Sequence, residues 1–173
     1  MRRGLLPILT TPRLALRELT PGDAPFILEL VNEPAWIANI RDTGVTTLEA
    51  ARGYIEVGPM ASYTAHGFGL WAVEARETGE CFGICGVLRR DGLDAPDLGF
   101  AFLARARGQG YATEAAAATL AHARDALRLP RVLAIVSPHN TASARVLKKI
   151  GMREEGEITL PTGKANRLWV WEA

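Results

Sequence analysis

The 173-residue sequence has few cysteines, no long apolar run and no excess of charge of either sign. Its two cysteines, Cys81 and Cys85, are four residues apart, which on one strand is too far for a disulfide bond. We therefore expect free thiols and a cytoplasmic protein. No apolar run reaches the roughly 18 residues of a membrane helix, and Pro7 interrupts the short apolar patch near the start, which makes it a poor signal peptide.

The balanced charge and the small number of histidines exclude further classes of protein. Twenty Lys and Arg stand against nineteen Asp and Glu, a net charge of +1, whereas nucleic-acid binders usually carry a strong basic excess. The three histidines are scattered and form no metal-ligand spacing with the cysteines, so we expect no metal, no nucleic acid and no membrane partner. With 48% hydrophobic residues, the chain suffices for one domain, which we expect to span residues 1–173 with a flexible N-terminal segment over 1–10.

The hydrophobic pattern predicts an α/β (α+β) fold with a single mixed, mostly antiparallel sheet of about six to seven strands flanked by helices. The predicted strands cover residues 11–19, 68–74, 81–88, 97–103, 131–136, 157–160 and 167–172. The predicted helices cover residues 24–32, 46–56, 60–66, 111–128 and 141–150. We predict a loop over residues 32–46. The unit from 97 to 136 is predicted to be a right-handed parallel crossover.

Residues 103–112, between a predicted strand and a predicted helix, carry the sharpest chemical signal. Gly108 and Gly110 remove side chains where the backbone turns into the helix, which exposes several N–H groups. Together with the helix dipole, these groups form an anion site suited to a pyrophosphate, and the hydroxyl of Thr113 can add to it. The stretch lacks the lysine of a Walker loop and the third glycine of a dinucleotide fingerprint. A plain glycine turn before a helix remains the alternative.

Several motifs together resemble the GNAT (Gcn5-related) N-acetyltransferases. Arg107-x-x-Gly110-x-Ala112 resembles the family's acetyl-CoA signature, and residues 140–143 followed by 147–152 are similar to its Asn-x-x-Ser and Lys-x-Gly-Phe segment, with Met152 where Phe is usual. The stretches 11–17, 83–86 and 97–100 resemble the branch of ribosomal-protein N-terminal acetyltransferases (RimJ/RimL-like). The resemblance extends over about residues 11–172, in the family's order.

The resemblance implies that the fourth and fifth GNAT strands, here residues 97–103 and 131–136, splay apart and hold acetyl-CoA between them. It places the pantetheine arm and the phosphates on Phe102, Leu103, Arg107, Gly108, Gln109, Gly110, Tyr111, Ala112, Thr113, Asn140 and Ser143. The side chains of Arg145, Lys148 and Lys149 either reach the 3′-phosphate or form a solvated helix face.

The implied reaction moves an acetyl group from acetyl-CoA to a primary amine, either a protein N-terminus or a small molecule, by direct attack in a ternary complex. Asp97 is the candidate base, directly or through a water molecule, and its alternative is a solvated charge at a strand start. Ser143 is the candidate donor to the thiolate, because Leu147 stands where many relatives have Tyr. The simpler alternative for Ser143 is a first-turn helix serine, and that for Asn140 is a helix cap or turn residue, a role that Asn140 could combine with cofactor binding.

The sequence also allows other interpretations. Trp36, Tyr54 and Tyr63 either contact the acceptor or pack in the core. A non-catalytic acyl-CoA-binding or sensor domain of the same fold would keep the glycine loop but would not need Asp97. A generic nucleotide-binding module is a third possibility, and the sequence allows a monomer or a homodimer.

Overall fold

Eight strands join into one mixed sheet in the computed structural model, which describes residues 5–173. The strands are β1 (Leu9–Thr10), β2 (Leu14–Arg17), β3 (Leu70–Ala75), β4 (Cys81–Leu88), β5 (Asp97–Phe102), β6 (Arg131–Val136), β7 (Arg153–Thr159) and β8 (Ala165–Glu172). Their order across the sheet is β1-β2-β3-β4-β5-β6-β8-β7. Neighbours are antiparallel except β5 and β6, which are parallel, so the predicted fold class is confirmed with one strand more than expected.

Within residues 5–173, six α-helices connect the strands and flank the sheet. They are α1 (Ala24–Val31), α2 (Pro34–Asn39), α3 (Leu48–Ile55), α4 (Ala61–His66), α5 (Tyr111–Asp125) and α6 (Thr141–Lys149). A π-helical turn over Glu56–Met60 joins α3 to α4. The Oγ1 atom of Thr47 accepts the Ala50 N–H at 3.1 Å, so Thr47 caps α3, which begins two residues later than the helix predicted over residues 46–56.

Helix α2 lies in the segment for which the sequence predicts a loop. Pro34 occupies its first turn, where a missing N–H costs nothing and the fixed φ favours a helix. The helix has only six residues, too few for an apolar period to be visible in the sequence.

The core lies on both faces of the sheet. Helix α5 buries small side chains, among them Ala115, Ala116 and Ala123, and small side chains allow a helix to lie close to β4 and β5. The thiol of Cys85 lies 3.3 Å from the Thr119 hydroxyl, and burial raises its pKa to about 12. Both cysteines are free, as expected.

The N-terminal segment is only partly described. Residues 1–4 of the segment expected to be flexible lie outside the described residues. In contrast, the Ile8 N–H donates to the Leu16 carbonyl at 2.7 Å, and Leu9–Thr10 pair with β2. Within residues 5–173, none of the helices combines the length and the apolar character that membrane crossing requires.

Candidate active site

A gap between β5 and β6 forms the centre of the candidate site. These parallel strands pair only at Asp97 and Leu133 among the described residues, where the Leu133 N–H donates to the Pro96 carbonyl at 2.9 Å. In contrast, all six residues of β5 pair with β4. The gap is therefore closed at Asp97 and opens toward Phe102 and Val136, which confirms the predicted splay.

The backbone of β5 alternates between β4 and the gap. The Leu103 N–H donates to the Phe82 carbonyl at 2.9 Å, and the Leu103 carbonyl accepts the Ala106 N–H at 2.9 Å, so Leu103 has no free polar backbone group. Because antiparallel pairing alternates direction along a strand, the polar groups of Phe100 and Phe102 face the gap instead. Leu103 therefore borders the gap without offering hydrogen bonds, while Phe100, which sequence reasoning missed, offers both an N–H and a carbonyl.

The loop after β5 presents unpaired N–H groups at the open end of the gap. Gly108 (φ +76°) and Gly110 (φ +82°) adopt a left-handed conformation that favours glycine. Among residues 5–173, no acceptor takes the N–H groups of Gly108, Gln109, Gly110, Tyr111, Ala112 or Thr113. The first bond of α5 is the Glu114 N–H to the Gly110 carbonyl, at 3.0 Å. The predicted loop thus has the backbone groups of an anion site.

Arg107 differs from the loop residues that follow it, because both its backbone N–H and its side chain are hydrogen-bonded within the protein. Its N–H donates to the Ala104 carbonyl at 3.2 Å, and its Nη2 donates to the Phe102 carbonyl at 3.0 Å and to Glu33 Oε2 at 2.6 Å. Glu33 also accepts the Ala104 N–H at 2.9 Å. Arg107 therefore anchors the loop to the start of α2, and its contact with a phosphate stays a prediction.

Arg13 contacts this loop, and sequence reasoning missed its role. Its Nη1 donates to the Gln109 carbonyl at 3.0 Å, its Nε lies 2.7 Å from Glu114 Oε2, and its guanidinium carbon lies 4.5 Å from the centre of the Tyr111 ring. The Thr11 hydroxyl donates to the other Glu114 oxygen at 2.6 Å. Arg13 thus holds the loop and neutralises the carboxylate in the first turn of α5.

Helix α2 bridges the open end of the gap. At its start, Glu33 contacts the loop that follows β5. At its end, the Asn39 carbonyl accepts the Ser137 hydroxyl at 2.7 Å, and Ser137 is the buried residue that follows β6. Because the sequence predicts a loop here, neither anchoring contact could be foreseen.

Asp97 is buried at the closed end, with a side chain only 1% exposed. Its Oδ2 lies 3.3 Å from Arg90 Nε, and its Oδ1 has no hydrogen-bond partner among the described residues. Burial raises the pKa of this carboxyl to about 6, although Arg90 acts in the opposite direction. The alternative of a solvated strand-start charge is therefore wrong. At neutral pH, Asp97 is a mostly ionised, buried carboxylate with a free oxygen.

Asn140 and Ser143 lie together at the start of α6, beyond the end of β6. Asn140 Oδ1 accepts the Ser143 N–H at 3.2 Å, and Asn140 Nδ2 donates to Ser143 Oγ at 3.0 Å. Asn140 is thus a helix cap, the simpler of its two roles, and the hydroxyl proton of Ser143 stays available. Asn140 also borders a cavity of about 180 Å³ that Ser137 and Trp169 line.

The remaining candidates separate into packing and surface residues. The Tyr63 hydroxyl accepts the Leu19 N–H at 3.1 Å and donates to the Leu70 carbonyl, so Tyr63 packs against the backbone. Trp36 is buried. Arg145, Lys148 and Lys149 are exposed on α6. Within the described part of the chain, no group of three or more His, Cys, Asp or Glu residues is arranged to hold a metal ion.

Comparisons with known proteins point to one family. The model of the acetyltransferase (GNAT) domain matches residues 13–153. The uncharacterised protein YkkB of Bacillus subtilis is 37% identical over 147 residues, which cover 83% of this chain and 84% of the relative. The uncharacterised N-acetyltransferase YnaD of the same organism is 30% identical over 161 residues, 93% of this chain and 91% of the relative.

Solved structures share the fold. An acetyltransferase from Agrobacterium tumefaciens superposes with a TM-score of 0.81 at 28% identity and covers 100% of both chains. Mycobacterium smegmatis RimJ in complex with CoA-disulfide superposes with a TM-score of 0.77 at 23% identity, over 92% of this chain and 82% of that one. On the family match, the relatives and the splayed sheet together, this chain belongs to the GNAT family of N-acetyltransferases.

Proposed function

We propose that the protein transfers an acetyl group from acetyl-CoA to a primary amine by direct attack in a ternary complex. The observation that carries the proposal is that the two ends of the gap between β5 and β6 differ in chemistry. Unpaired loop amides lie at its open end, and the buried carboxylate of Asp97 lies at its closed end. The five steps along β5 between these ends span about 17 Å, so one extended ligand can contact both.

Acetyl-CoA matches this arrangement in chemistry. Its pyrophosphate would accept the N–H groups that begin α5, where the helix dipole also favours an anion. Its pantetheine arm would pair as an added strand with the gap-facing groups of Phe100 and with the Phe102 N–H. The Phe102 carbonyl is already occupied by Arg107, so we expect Phe100 to supply the acceptor in this pairing.

The proposed reaction begins with the amine. An ammonium ion cannot attack, so Asp97 takes a proton from the acceptor, directly or through a water molecule. The neutral nitrogen then forms a bond to the thioester carbonyl carbon, and a gap-facing N–H of β5 stabilises the resulting oxyanion. Collapse of this intermediate breaks the carbon–sulfur bond, the nitrogen releases its second proton to solvent to give the neutral amide, and the CoA thiolate leaves.

Ser143 is the proposed donor to that thiolate. Its hydroxyl oxygen already accepts from Asn140 at 3.0 Å, which leaves the hydroxyl proton to donate. Leu147, which follows one turn later on α6, is fully buried and has no proton to give. The cap by Asn140 thus orients Ser143.

The test is incubation with acetyl-CoA and a panel of primary amines while free thiol is measured, with CoA affinity measured separately by calorimetry. We expect amine-dependent thiol release and an acetylated product by mass spectrometry. Binding of CoA without turnover of any amine would instead indicate the acyl-CoA sensor. Failure to bind CoA would overturn both functions.

A further inference from the structure

Glu33, which no sequence motif marks, joins the loop after β5 to the start of α2. Both of its carboxylate oxygens accept the Ala104 N–H, at 2.9 and 3.0 Å, and Oε2 also accepts from Arg107 Nη2 at 2.6 Å. The side chain is only 16% exposed. A carboxylate beside a loop suited to an anion repels that anion, so any contribution of Glu33 to cofactor binding comes through the cation that it holds.

Arg107, the cation that Glu33 holds, covers the last gap-facing carbonyl of β5. Its Nε and Nη2 both donate to the Phe102 carbonyl, at 3.2 and 3.0 Å. The bond to Glu33 is charge-assisted and therefore strong, which fixes the guanidinium in this position. Strand β5 thus offers the Phe102 N–H to a ligand in the gap, but not the Phe102 carbonyl.

The covered carbonyl decides how the pantetheine arm can pair with β5. An added strand needs carbonyl acceptors for its own N–H groups. The gap-facing carbonyls of Phe100 and Phe102 are two residues apart, about 7 Å along the strand. With both free, the arm could pair in two registers, and only the deeper one brings the thioester toward Asp97 at the closed end. Because Arg107 takes the outer carbonyl, the deeper register alone keeps its hydrogen bonds.

We propose that Glu33 is a positioning residue for acetyl transfer, which sets the register of the pantetheine arm by holding Arg107 on the Phe102 carbonyl. The proposal rests on the proposed acetyl transfer and adds to it a residue that acts only through Arg107. It also gives Arg107 a role other than a phosphate contact. A phosphate contact would strengthen the affinity for CoA, whereas a register contact raises the fraction of bound acetyl-CoA that can react.

Two variants and their combination test the proposal, with kcat measured by thiol release at a saturating concentration of the best amine of the panel and the Kd for CoA measured by calorimetry. Arg107→Met removes the donors to the Phe102 carbonyl. Glu33→Gln keeps one oxygen for the Ala104 N–H and replaces the other with an amide donor, which cannot hold Arg107. We expect kcat to fall about fivefold in Arg107→Met and about threefold in Glu33→Gln, with the Kd within about twofold of the wild type. The double variant should match Arg107→Met, since both changes break one link.

The neighbouring ion pair of the same loop supplies matched controls. Arg105 donates to Glu29 at 2.5 Å and to Glu80 at 2.9 Å, and its side chain is half-exposed. Glu29 lies one turn before Glu33 in the chain, so Glu29→Gln and Arg105→Met repeat the same chemical changes without touching the bond to Phe102. Both controls should keep the wild-type kcat and Kd.

The outcomes separate the register from other roles. A Kd for CoA that rises in Arg107→Met and falls in Glu33→Gln, with kcat unchanged, would overturn the proposal and show that Arg107 binds a phosphate. Wild-type kcat in both variants would refute it as well. Losses of kcat that multiply in the double variant would show that the two residues act independently, again against the proposal. Wild-type protein that binds CoA but acetylates no amine would instead overturn the proposed function, and the register with it.

Discussion

Burial of Asp97 makes the stability of the protein depend on pH. The folded carboxyl titrates at about 6, against its usual 3.8, because burial disfavours the charged form. Between these values the folded chain binds the proton more tightly than the unfolded chain does, so the free energy of unfolding falls as pH rises and levels off above about 6. With 1.36 kcal/mol for each pKa unit, the loss over the whole titration is about 3 kcal/mol, of which about 2.4 kcal/mol falls between pH 4 and pH 7.5.

The substitution Asp97→Asn keeps the shape of the side chain and removes this titration. The variant should therefore be more stable than the wild type at pH 7.5 by up to about 3 kcal/mol, and nearly equal to it at pH 4. Arg90 loses its partner but stays 38% exposed and solvated. Loss of the base should lower kcat at neutral pH by about 10² to 10⁴. In the wild type, kcat should rise with pH up to about 6 and then level off.

Urea unfolding at pH 4 and pH 7.5 measures the stability, and steady-state thiol release measures kcat over the same range. Asp94→Asn is the control, because Asp94 has a side chain 79% exposed and pairs with Arg131 at the surface. It should show the wild-type pH dependence in both assays. If the wild type and Asp97→Asn lose equal stability between the two pH values, the ionised carboxylate is not disfavoured by the fold. Wild-type kcat in Asp97→Asn at every pH would remove Asp97 from the chemistry.

Three further substitutions probe the cofactor site. Gly110→Glu should raise the Kd for CoA at least about tenfold, because it adds a carboxylate among the loop amides. Its control is Gly163→Glu in the β7–β8 turn, where the glycine has a similar positive φ of +84°, and this variant should leave the Kd unchanged. Arg13→Gln should raise the Kd for CoA about fivefold, because it leaves the Glu114 carboxylate beside the loop without its cation. Its control is Arg76→Gln, which removes a hydrogen bond to the nearby Thr11 carbonyl and should leave the Kd unchanged. Ser143→Ala should lower kcat at least about tenfold without raising the KM for acetyl-CoA, and an unchanged kcat would show that the serine is only a helix residue.

The sequence predicted those elements whose signal is local. The strands β4 and β6 match their predicted bounds at 81–88 and 131–136, because each is an apolar run enclosed by turn residues. The start of α5 after Gly110 was likewise predicted, since glycines mark the change of backbone direction. Helix α2 was missed because it is too short to show a period.

Long-range contacts account for what was missed at the site. Arg13 reaches a loop 96 residues away and Glu33 reaches one 71 residues away, and no local pattern encodes such distances. The choice between Phe100 and Leu103 depends on which edge of β5 faces the gap. The hydrophobic alternation of a strand reports its two faces and not its two edges, so only the pairing with β4 determines the answer.

The bridge formed by α2 also restricts how an acceptor can approach. If the pantetheine arm enters the gap from the open end, α2 and the loop amides occupy that end, so the amine must reach Asp97 from a face of the sheet. The segment that sequence reasoning assigned to a loop therefore limits the routes by which the proposed acceptor can approach Asp97.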